Sequence, residues 1–69
     1  MNDKMTQVGL ESYYQSLGRS ERGKLVMYVA VDLSLSYPTV RGKFTGTQRF
    51  STAELRALQP IITQELWRQ

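Results

Sequence analysis

The chain has 69 residues, nine Lys/Arg against six Asp/Glu, a formal net charge of +3, and neither cysteine nor histidine. This length allows one domain, and the missing cysteines exclude disulfides and thiolate metal sites. The missing histidines remove the commonest metal ligand and general base. No phosphate-binding glycine loop or metal-ligand pattern occurs either. We therefore expect a small domain that is not an enzyme and uses no cofactor and no metal.

Hydropathy and size indicate a soluble protein with a small core. The hydrophobic content of 41% is that of a globular chain. The longest apolar run, residues 25–31, is too short for a membrane span, and the first residues lack a signal-peptide run. We therefore expect a cytoplasmic location and no membrane partner. A chain this short buries only about 60% of its unfolded surface, so a homodimer is the remaining way to add stability.

Residues 1–5 are predicted to be a disordered tail, and residues 6–69 a single helical domain. The first helical signal is a face of apolar residues at spacings i, i+3, i+4 and i+7, namely Leu10, Tyr13, Tyr14 and Leu17. Thr6 is placed to cap this helix, and Gly18 to end it.

The segment from Leu25 to Leu33 is almost continuously apolar and fits two structures. Its β-branched valines suit a strand, but strict alternation of apolar and polar residues is absent. Ser20 as an N-cap and Glu21 in the first turn favour a helix. We predict a helix here, and a strand over residues 24–35 in a small α+β domain is the alternative.

A short third helix is predicted next. Ser36 is its N-cap, Pro38 lies in its first turn, and Gly46 ends it in the left-handed conformation. Val40 and Phe44 are four residues apart and share one apolar face.

The last helix has the sharpest start signal, the capping-box spacing of Ser51 and Glu54. Pro60 is expected to kink or restart this helix, because it removes a backbone donor. The tail carries more apolar surface than a core of this size is expected to absorb. Four tail residues are therefore candidates for a homodimer interface or for closing the core: Ile61, Ile62, Leu66 and Trp67.

Three residues in the middle of the chain have the spacing of a helix-turn-helix motif. Ala30 is a small residue on the first helix, Ser34 is at the tight turn four residues later, and Val40 faces inward ten residues after Ala30. With Phe44, Gly46 and the loop that follows, they resemble the lambda-type repressor and Cro family, over roughly residues 23–62 with the motif at about 23–46. The resemblance implies an all-α, compact four- to five-helix domain that regulates transcription, with the second helix of the motif in the major groove of double-stranded DNA.

The distribution of charge points to the same segment as the surface that contacts DNA. No acid occurs from Leu33 to Ala53, which is the footprint of a polyanion binder. Arg41 is expected to read bases, and Lys43 and Arg49 to bind phosphates. The predicted DNA-contacting residues are Ser36, Tyr37, Thr39, Arg41, Lys43, Thr45, Gln48 and Arg49. The alternative is a helical protein-interaction or homodimerisation module that binds no nucleic acid.

Overall fold

A computed structural model describes residues 6–68 of the chain. Within that range the protein has no strands, so the predicted all-α class is confirmed. The elements are α1 (Gln7–Gln15), α2 (Arg19–Leu33), α3 (Tyr37–Thr45), α4 (Thr52–Thr63) and a C-terminal 3₁₀ turn (Leu66–Arg68). The alternative of a strand over residues 24–35 is wrong, because α2 covers nearly all of that segment. The predicted tail, residues 1–5, lies outside the described residues.

Helix α1 begins as predicted and ends earlier than predicted. The Thr6 hydroxyl accepts a hydrogen bond from the Gly9 backbone N–H at 3.0 Å. At the other end, the Arg22 guanidinium donates to the carbonyls of Tyr14 (3.1 Å) and Gln15 (2.9 Å). A cation at this position satisfies carbonyls that have no partner within the helix. The helix ends at Gln15, before the predicted stop at Gly18.

Helix α2 starts at Arg19, so the prediction of Ser20 as its N-cap is wrong. Gly18 occupies the N-cap position in an extended conformation, and its N–H donates to the Glu21 carboxylate at 3.2 Å. The acid that was predicted in the first turn thus caps the helix from its third position. Every residue of the ambiguous apolar segment is helical, and one side of α2 buries Leu25, Val26, Val29 and Ala30.

The core lies where α2 and α3 pack against α1 and α4, with an aromatic cluster at its centre. The Phe44 ring stacks on Tyr14, with centroids 5.3 Å apart, and meets the edge of Phe50 at 5.0 Å. Phe44 and Val40 are fully buried, so the short helix α3 is held by its two predicted apolar residues. Gly46 ends α3 with φ of 93°, the left-handed conformation that a glycine adopts without strain.

Helix α4 has the predicted capping box, in which the Ser51 hydroxyl accepts from the Glu54 N–H at 3.1 Å and the Glu54 carboxylate accepts from the Ser51 N–H at 2.8 Å. The helix does not restart at Pro60 but continues through it to Thr63. Pro60 is exposed and only one turn from the C-terminal end. Proline removes only one backbone hydrogen bond of the helix at this position. The buried neighbours Ile61 and Ile62 pack into the core and keep this turn helical.

The apolar tail closes the core, which was one of its two predicted roles. Trp67 is 3% exposed, and its indole N–H donates to the Tyr13 hydroxyl at 3.1 Å. Ile61 and Ile62 are buried, and Leu66 packs partly buried against the core. These side chains have little area left for a second copy, so the structure does not place a dimer interface on them. None of the helices in residues 6–68 combines the length and the apolar character that crossing a bilayer requires.

Candidate nucleic-acid interface

The turn between α2 and α3 falls at Ser34, the position that the sequence spacing predicted. Ser34 follows α2 with φ of 57° and ψ of 42°, in the left-handed region. The next amide, that of Leu35, donates to the Ala30 carbonyl at 2.9 Å, which is the hydrogen bond of a Schellman helix end. Ala30 is 6% exposed and Val40 is fully buried, on the two helices that flank the turn. A small residue, a left-handed turn and an inward valine thus occur together.

The start of α3 is capped from within the predicted site. The Ser36 hydroxyl accepts from the Thr39 N–H at 3.3 Å and donates to the Thr39 hydroxyl at 2.7 Å. Both side chains therefore have partners and remain at the surface or partly exposed. Tyr37 is 39% exposed, and its hydroxyl lies close to Gly23 of α2, where an added Cβ would be 3.7 Å away. These contacts orient the first turn of α3 and leave polar atoms available at its surface.

The basic residues of the acid-free window differ in exposure and in pairing. Arg41 and Arg49 are exposed and make no ion pair within residues 6–68. The Lys43 side chain is only 12% exposed, and its ammonium donates to the Glu54 carboxylate at 2.9 Å and to the Arg49 carbonyl at 3.1 Å. Arg41 and Lys43 are two residues apart and thus roughly 200° apart around α3. The Lys43 ammonium is therefore held by the loop and by α4, whereas Arg41 and Arg49 are exposed.

The loop after α3 is tied to the last turns of that helix. The Gln48 backbone N–H donates to the Gly42 carbonyl at 3.1 Å. The Gln48 side-chain amide covers Gly42, where an added Cβ would lie 3.2 Å from its nitrogen. Gly42 therefore permits the close approach of the loop to α3. Thr45, Gln48 and Arg49 are all exposed at this end of the predicted site.

Gln7, which the sequence prediction missed, positions both α3 and the loop. It is a polar side chain in the core, 7% exposed. Its amide nitrogen donates to the Lys43 carbonyl at 2.9 Å, and its amide oxygen accepts from the Phe50 N–H at 2.8 Å. Gln7 lies three residues before Leu10 and so extends the apolar face of α1 by one turn. This spacing was the signal available in the sequence. It was missed because glutamine side chains are mostly exposed in folded proteins.

Two acidic side chains lie beside α3, Glu54 against Lys43 and Glu11 against Gly46. The pKa of Glu54 lies below its usual value, first because the Ser51 N–H donates to its carboxylate and then because Lys43 does. Glu11 lies beside the C-terminal end of α3, where an added Cβ on Gly46 would be 3.4 Å from a carboxylate oxygen of Glu11.

Within the described part of the chain, no group of acidic side chains is arranged to hold a metal ion. Comparison with protein-family models, with curated proteins and with solved structures finds no match to this chain.

Proposed function

We propose that this chain is a small DNA-binding transcription regulator of the repressor and Cro-like type, with α2 and α3 as its helix-turn-helix. The observation that carries the proposal is the left-handed Ser34 between the buried Ala30 and Val40. This arrangement packs one side of α3 into the core and leaves the other side, with Arg41, at the surface. A helix held in this way after a tight turn is the element that such proteins insert into the major groove.

Contacts with DNA then divide between base reading and phosphate binding. Arg41, Thr39 and Tyr37 are on the exposed or partly exposed part of α3, where an arginine can pair with guanine through two hydrogen bonds. Arg49, with Ser36, Thr45 and Gln48, supplies polar groups at the ends of the helix and in the loop. Phosphate contacts from these groups would position the helix without specifying a sequence.

Lys43 has a positioning role in this proposal. Its ammonium joins the loop carbonyl of Arg49 to the Glu54 carboxylate of α4, and it lies 5.8 Å from the centroid of the Phe50 ring. Loss of this ammonium would free the loop that presents Arg49. Affinity would then fall through disorder of the loop and not through a missing phosphate contact.

Fluorescence anisotropy with random-sequence duplex DNA over a series of salt concentrations tests the proposal. Each phosphate contact contributes a slope of roughly −0.9 to the dependence of log affinity on log salt concentration. Arg49→Ala should therefore reduce the magnitude of the slope by about 0.9, whereas Lys43→Met should weaken binding with the slope unchanged. Arg41→Ala should cost about 1–3 kcal/mol on a preferred sequence obtained by selection from random duplexes.

Arg56→Ala is the matched control, because Arg56 is an exposed arginine on α4 outside the predicted interface. It should change affinity less than Arg41→Ala or Arg49→Ala does. Absence of binding at low salt, or equal losses for all three arginine variants, would reject the interface. The helical interaction module without nucleic-acid binding would then be the better proposal, and the exposed apolar residues Met27 and Val31 of α2 favour it.

A further inference from the structure

The outer side of α2 carries an apolar patch that the fold does not cover. Met27 is 56% exposed and Val31 is 74% exposed, and the two side chains are one helical turn apart. Tyr28 lies half-buried beside them, and together they line a shallow groove along the helix. Adjoining exposed apolar side chains form a candidate surface for contact with a partner, whereas single exposed ones are ordinary.

The charges at the two ends of this patch identify the kind of partner. Lys24 and Asp32 are both exposed, and each lies four residues from Tyr28, on opposite sides of it. Four residues of helix span about 6 Å, so the two charges lie about 12 Å apart along α2. Neither makes a salt bridge within residues 6–68. The α2 ridge, defined as Lys24, Met27, Tyr28, Val31 and Asp32, is therefore apolar in the middle with opposite charges at equal distances from its centre.

We propose that the α2 ridge binds the α2 ridge of a second copy of this chain, with the two helices antiparallel. A two-fold axis at Tyr28 places Lys24 of each copy opposite Asp32 of the other, so each of these side chains faces an opposite charge. The apolar residues Met27 and Val31 then meet between the two ion pairs. An interface with two-fold symmetry must complement itself in this way, whereas an unrelated partner would not need charges equidistant from one residue.

The dimer is expected to be weak and to depend on protein concentration. One pair of short helices buries less than the roughly 1,200 Å² at which stable specific interfaces begin. The α2 ridge shares no residue with the predicted DNA-contacting set on α3 and the loop. The proposal therefore stands apart from the proposed function, and either can fail without the other.

Analytical ultracentrifugation of the full chain over a wide range of concentrations, at low ionic strength, tests the dimer through charge exchange. Lys24→Glu places two carboxylates together at each end of the interface, and Asp32→Lys places two ammonium groups together. Each single variant should raise the dimer dissociation constant by about 5- to 30-fold, since two ion pairs are lost and replaced by repulsion. The double variant Lys24→Glu/Asp32→Lys restores opposite charges and should return the constant to within about 3-fold of the parent.

Two further variants complete the design. Met27→Lys should abolish the dimer by charging the middle of the ridge, while the domain stays folded because that side chain is already exposed. Arg56→Glu produces the same change in net charge as Lys24→Glu but lies on α4, and it should leave the dimer intact. Circular dichroism melting of every variant establishes that it is folded.

A parent chain that stays monomeric at all concentrations would overturn the proposal. So would a dimer that Met27→Lys does not weaken, or a double variant as weak as the single ones.

Discussion

Ser34→Gly is the most direct test of the turn between α2 and α3. A residue with a Cβ pays roughly 1–2 kcal/mol to adopt the left-handed conformation, and Ser34 adopts it with φ of 57°. Glycine removes that strain, but its more flexible unfolded chain costs about 0.4–1 kcal/mol. The Ser34 side chain is exposed and makes no hydrogen bond within the described residues, so little else is lost. We expect a net gain in the free energy of unfolding of about 0.5–1 kcal/mol.

Thermal unfolding followed by circular dichroism measures this gain. In a domain of this size, 1 kcal/mol corresponds to a rise in melting temperature of about 4–8 °C. Ser12→Gly is the matched control, because Ser12 is exposed in the middle of α1, where glycine costs about 0.5–1 kcal/mol. The same substitution should therefore have opposite signs at the two positions. Destabilisation by Ser34→Gly as large as that by Ser12→Gly would show that position 34 is not left-handed and would remove the main support for a helix-turn-helix.

Three further predictions concern the packing that holds α3 in place. Ala30→Leu should destabilise the domain by about 1–3 kcal/mol because the side chain has no room for added methylenes, whereas Ala53→Leu, at an exposed position, should be nearly neutral in chemical denaturation. Gln7→Leu should cost about 1–3 kcal/mol, because it leaves a loop amide and an α3 carbonyl without their partner. Gln15→Leu, at the exposed end of α1, should cost little, and equal losses for the two glutamine variants would count against the bridging role. Glu54 has a lowered pKa in the folded state, so its contribution is present at neutral pH and declines over the acidic range in which the pH falls below the ordinary pKa of a glutamate. The fall in stability over that range should be smaller in Glu54→Gln, and an identical fall would contradict the ion-paired capping box.

Local signals in the sequence were sufficient for the helices and most of their ends. Thr6, Ser36, Gly46 and the capping box of Ser51 all act as predicted, because a cap depends on residues within one turn of it. The N-cap of α2 was predicted wrongly, because the fold provides a hydrogen-bond partner that the local pattern did not indicate. Gly18 became an N-cap once the Glu21 carboxylate could reach its amide.

The local sequence pattern could not predict which side chains are buried or which ones pair across long stretches of the chain. Lys43 and Arg49 look alike in an acid-free window, yet only Lys43 lies within reach of Glu54, eleven residues later. The tail residues Ile62 and Trp67 had two predicted roles, and folding of the chain back onto Tyr13 decided in favour of the core.

The sequence by itself determined which segments are helical, where the tight turn falls, and which short helix follows it. Those properties depend on caps, apolar periodicity and residues that tolerate special backbone angles, all within a few positions of one another. Only the tertiary structure decided that Gln7 bridges α3 and the loop, and that the Lys43 ammonium binds the loop and α4. It also decided that Met27 and Val31 remain exposed. Each of these depends on which helix faces meet, and residues that meet in space can be far apart along the chain.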